Sequence, residues 1–231
     1  MSKTSELHSK AERVRETEQD FLKSLQLADQ ASVEYSKEEN YEGMADVCGT
    51  RALGLTHLYE KTGDDNFLIM AKHAAGTGVE IAKKHNLDKA LAMASFRLGK
   101  VLVDLQQFSE AVSAYEVAVE NDLPDAHNRP AVKSDIRAQL GFAQYMSGDK
   151  ESGIANLNNA IEQLENNDEE IAYTRDVWLS GAYMKKAFAT HDNDHQASSE
   201  ALASAKKIID NNNELVLRKR QWEKLASKLS K

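Results

Sequence analysis

The chain has 231 residues, 41% of them hydrophobic and 29% charged, the balance of a soluble folded protein, and its 2 prolines and 11 glycines leave few places to break a helix. With 29 basic against 37 acidic residues the formal charge is -8, which repels nucleic acid over most of the surface. No run approaches the roughly 18 apolar residues of a membrane span, and MSKTSELHSKAERVRE at the start has no apolar stretch after its charges, so the chain reads as soluble and cytoplasmic.

From Thr4 to Glu39, apolar residues recur on three- and four-residue steps: Leu7, Ala11, Val14, Phe21, Leu25, Ala28 and Tyr35. This spacing predicts one long helix packed on the rest of the protein, with homodimerisation through the same stripe as the alternative. The lone cysteine, Cys48, cannot form an internal disulfide and sits among apolar residues, which reads as a buried inert thiol.

Helix punctuation follows at regular intervals. KTGDD at 61–65 and SGDKE at 147–151 each place a glycine where a helix ends in the left-handed conformation, then an aspartate able to cap the next helix. Pro130 suits the first turn of a helix beginning near Asn128, because its missing N–H would have had no intrahelical partner there. ENNDEE, THDNDHQ and DNNNE, starting at 165, 190 and 210, are polar breaks. About ten helices and no strand result.

The strongest signal is repetition. Leu53-Gly54, Leu98-Gly99 and Leu140-Gly141, with a weaker Ser180-Gly181, stand at 40- to 45-residue intervals, the mark of stacked helical hairpins. A mid-helix glycine costs about 1 kcal/mol of helix propensity relative to alanine, so its recurrence implies close helix approach in return. Residues 96–120, FRLGKVLVDLQQFSEAVSAYEVAVE, add Ala111, Tyr115 and Ala118 downstream of Leu98-Gly99.

With these residues the chain resembles the tetratricopeptide repeat family, in a variant with long helices. The middle unit matches through Leu98, Gly99, Ala111, Tyr115 and Ala118; Ser95 and Leu102 replace its first-helix aromatics. The next unit keeps Leu140, Gly141, the Gly148-Asp149 turn and Ala160, and the first keeps Leu53 and Gly54 with Ala71 and Ala75 as its small-residue seam. The resemblance implies an all-α right-handed superhelix of about four hairpins over residues 40–212. An N-terminal helix, 1–39, would pack on it and a capping helix, 213–231, would close it.

In such solenoids the first helix of each hairpin lines a groove. Projection from the Leu-Gly pairs turns Arg51, Phe96, Lys100, Phe142 and Tyr145 toward that face, and Arg175, Trp178 and Lys185 by extension. Aromatic anchors mixed with cations suit a protein or peptide partner with acidic and apolar side chains. The alternative is a regulatory protein that senses a peptide or small ligand. The family's carboxylate clamp needs asparagines that are absent beside Arg51 and Arg97, so its ligand does not carry over.

His191 and His195 have metal-ligand spacing, but THDNDHQ reads as a solvated turn. AAGTGVE at 74–80 reads as a packing seam, since no strand precedes it. Nothing points to catalytic residues, a metal or another cofactor, so the expectation is a non-enzymatic scaffold. The basic amphipathic ELVLRKRQWEKLASKLSK at the end reads as a cap, with binding of an acidic partner or a membrane surface as the alternative.

Overall fold

In the computed structural model the described residues are 3–121, 123–124, 128–168 and 170–230. They form eleven α-helices and, among themselves, no strand. The chain divides into two compact units, Met1–Ala126 and His127–Lys231.

In the first unit, α1 (Lys3–Arg13) continues into a π-helical turn (Val14–Glu18), after which α2 (Phe21–Lys37) folds back. The single long helix expected over Thr4–Glu39 is therefore a hairpin. Gln19 adopts a left-handed φ of 53°, and the Asp20 carboxylate accepts the Lys23 N–H at 3.0 Å, so a new helix is capped where the apolar period runs on without a break. Hairpins α3 (Tyr41–Thr62)/α4 (Asn66–Lys84) and α5 (Asp88–Asp104)/α6 (Phe108–Glu120) follow. The second unit holds α7 (Pro130–Ser147)/α8 (Lys150–Glu165), α9 (Ala172–Thr190)/α10 (His195–Asn211) and α11 (Val216–Leu229). Counting the N-terminal pair, the described residues form five hairpins.

The turns form as their residues require. Gly63 and Gly148 take φ of 72° and 110°, conformations that a side chain would strain, and the Asp149 carboxylate then accepts the Ser152 N–H at 3.1 Å. Pro130 opens α7.

First helices of successive hairpins meet along one side of each unit. In the first unit His8 of α1 lies 2.9 Å from the Thr50 hydroxyl of α3, and Arg97 of α5 donates to the Asp46 carboxylate of α3 at 2.5 Å. The core between the layers is built from Ala52, Leu55, Ala71, Ala75 and Val101. The alanine seam expected in α4 is part of it. Tyr115 of α6 is fully buried against Gly99, where an added Cβ would come within 2.5 Å of the ring. That glycine thus receives the aromatic of its own hairpin. In the second unit α7 and α8 cross at Gly141 and Gly153, so closely that a Cβ on either would strike the other helix's backbone at 2.6–2.9 Å. Ala138, Leu157, Ala160 and Leu164 fill the core there.

Candidate functional site

Of the eight residues projected onto one groove, three lie in the first unit and five in the second. Arg51 lies about 140° around α3 from Asp46, the residue that meets α5. Its guanidinium is 2.5 Å from the Asp29 carboxylate of α2 and lines an outer cleft of about 370 Å³ with Ser32, Cys48, Met70 and His73. Burial pushes the Cys48 thiol pKa up, against the partial opposing effect of Arg51 and Arg97, which suits an inert thiol. Phe96 and Lys100 remain together on α5, the Lys100 ammonium 5.6 Å from the Phe96 ring centre and that ring 6.1 Å from Tyr115.

In the second unit, Arg175 is held near the preceding loop, donating to the Asn167 carbonyl at 3.4 Å with the Asp168 carboxylate 3.7 Å away. Trp178 packs against the core, and the Arg129 guanidinium lies 5.7 Å from its ring centre. Lys185 is half-buried on α9. Phe142 meets Phe188 of α9 at 5.9 Å, and the buried Tyr145 accepts a hydrogen bond on its hydroxyl from Asn193 Nδ2 at 3.0 Å.

These last two residues lead to the site. The C-terminal ends of α7, α9 and α11 surround an open cleft of about 470 Å³. Phe188 and Tyr145 supply aromatic surface, while Lys150, Lys228, His191 and Asn193 supply donors around it. The Lys228 ammonium lies 4.5 Å from the centre of the Phe188 ring, and Lys150 lies 5.7 Å from that of Tyr145 while donating to Asn193 Oδ1 at 2.9 Å. Each cation lies over a ring, and Lys228 also stands in the last turn of α11, where a helix C-terminus favours positive charge; Lys150 is the first residue of α8. Asp192 is the carboxylate in the lining. Two ammonium groups keep N–H donors available for an acceptor, and the rings beneath offer apolar area. The arrangement can hold a carboxylate-bearing segment with an apolar body; no nucleophile–base pair accompanies it.

Local sequence signals miss Lys150 and Phe188, while Lys228 belongs to the basic amphipathic C-terminal helix whose alternative reading is an acidic partner. For Lys150 the hint is that it directly follows the Gly148-Asp149 turn. His191 does reach this cleft, its ring edge-on to His195 at 5.0 Å. Among the described residues no group of three or more His, Cys, Asp or Glu side chains gathers as a metal site, and no helix is long and apolar enough to cross a membrane.

No family model matches the sequence, and no curated protein matches it. Its fold matches solved TPR-like structures. A kinesin light chain from Podosopora anserina with nearly identical TPR-like repeats superposes with a TM-score of 0.64 at 15% identity, covering 93% of this chain and 99% of the other. BtubC from P. vanneervenii gives 0.65 at 18% identity, over 91% and 89%. A Rap protein complexed with Competence and Sporulation Factor gives 0.63 at 18%, over 99% of this chain and 65% of that one. The chain is thus an all-α, TPR-like helical repeat protein in fold.

Proposed function

We propose that this protein is a non-enzymatic interaction module whose second unit docks an acidic peptide segment in the cleft between the ends of α7, α9 and α11. The observation that carries the reading is the pair of lysine ammonium groups on the faces of Phe188 and Tyr145. Both lysines are exposed, and the ring face beneath each one places its ammonium at the rim of the cleft, where it can pair with a carboxylate. The rigid hairpins behind them hold the cleft open before a partner arrives, which lowers the ordering cost of binding.

A fluorescein-labelled octapeptide library, read by anisotropy, tests this. Peptides with Asp or Glu next to Leu, Phe or Tyr are selected by the native chain, and the double substitution Lys150→Ser/Lys228→Ser removes the selection. Lack of any acidic preference, or its survival in the double variant, rejects the assignment.

The likeness to a Rap protein in complex with Competence and Sporulation Factor favours a second reading, a sensor that changes shape on binding its ligand. Small-angle scattering with and without a selected peptide separates the two. A scaffold keeps its radius of gyration, and a sensor contracts.

A further inference from the structure

One edge of α11 extends from this cleft. Leu217, Gln221, Lys224 and Lys228 recur at the spacing that places residues on one line of a helix, and Lys228 ends the line over Phe188. At the other end Leu217 is 64% exposed. Tyr173, one turn before Val177 on α9, is 46% exposed. Arg218 fixes this end: its Nε donates to the Val177 carbonyl of α9 at 3.0 Å and its Nη1 to Gln221 Oε1 at 2.7 Å. The guanidinium lies over Gly181, where a Cβ would come within 3.0 Å of Nη2. The edge thus has an exposed apolar end and a cationic end, held at a set separation by a pinned helix. Across α11 as a whole, Arg218, Lys219, Arg220, Lys224 and Lys228 face a single acid, Glu223, so the charge favours an anionic occupant.

We infer that the ligand is an extended acidic segment measured by α11, with an apolar side chain at Leu217 and Tyr173 and a carboxylate about five residues away at Lys228 and Lys150. The inference rests on the docking reading above and specifies its partner. Eleven residues of helix span about 16 Å at about 1.5 Å each. An extended chain covers that length in about five residues at about 3.3 Å each. Shorter spacings cannot reach both ends, and longer ones must loop out and lose entropy.

Labelled peptides test the ruler. Each carries one leucine and two glutamates in a glycine-serine background, with the first glutamate two, five or nine positions from the leucine, in both chain directions. The five-position peptide binds at least tenfold more tightly than the two-position one in one direction, and Leu217→Ser abolishes that advantage. Leu217 is exposed, so this variant retains the fold; an unchanged circular dichroism melt checks it. Binding that depends on Lys150 and Lys228 but not on spacing overturns the ruler and leaves the docking site standing. Binding that does not need the two lysines, or no binding by any peptide, overturns both.

Discussion

Replacing Gly141 by alanine sets two opposing effects against each other at the α7–α8 crossing. Alanine gains about 1 kcal/mol of helix propensity. Its Cβ, however, would lie 2.7 Å from the Gly153 carbonyl oxygen, 2.9 Å from the Leu157 nitrogen and 3.0 Å from Asn156 Cβ. Ordinary carbon contacts lie at about 3.5–4.0 Å, so the helices must part by about 0.5–1 Å. The obstacles are mostly backbone and cannot rotate away. Parting lifts Leu157 and Ala160 off the core they fill with Ala138. Overpacking of this kind costs about 1–3 kcal/mol, and the lost dispersion around the crossing adds to it. We expect net destabilisation of about 2 kcal/mol, which lowers Tm by about 10 °C for a unit of this size. Gly54→Ala is the matched control. Its Cβ would approach only the Leu25 side chain, at 3.1 Å, and that methyl end can rotate. There propensity wins, and Tm holds or rises slightly. Circular dichroism melts of the two variants decide the matter; equal shifts, or a Gly141→Ala melt at the native temperature, would refute the packing argument.

Three further outcomes follow from other contacts. Burial, with the Glu165 carboxylate that accepts its hydrogen bond, pushes the Tyr183 pKa up to about 12. The stability this tyrosine contributes is complete below its unfolded value of about 10 and is lost as pH rises through 12, so Tyr183→Phe flattens alkaline unfolding over that window in a pH-titrated melt. Cys48 is buried with a raised pKa, so iodoacetamide at pH 8 labels it slowly in the native chain and rapidly in guanidinium, as mass spectrometry reads directly; fast native labelling contradicts its placement. Trp222 donates its indole N–H to the Leu202 carbonyl at 3.0 Å, on a helix with no fully buried residue between Val216 and Leu229. Trp222→Ala therefore speeds amide exchange across α11 by tenfold or more while leaving α7 and α8 protected.

Much of the fold is legible in local chemistry. Gly148 and Asp149 terminate one helix and cap the next through their own backbone and carboxylate, Pro130 opens α7 because it lacks an N–H, and the Leu-Gly pairs recur at the interval at which hairpins stack. The N-terminal hairpin was less visible because apolar steps continue through Gln19 and Asp20, and only the capping geometry shows the reversal. The candidate site was legible in part. Helical period turns Phe142 and Tyr145 toward the expected groove face, but the period cannot say which helix will pack there, and α9 and its turn contact these two. The same holds for Arg51, whose ion pair with Asp29 and cleft neighbours Met70 and His73 come from other helices.

The sequence by itself determined the class of architecture, all-helical hairpins at a 40- to 45-residue interval, because turns, caps and small-residue crossings act between near neighbours. The tertiary structure alone decided where chemistry gathers. Lys150, Phe188 and Lys228 lie far apart in the chain and carry no shared local signal, and they meet only because α7, α9 and α11 end on the same side of the second unit.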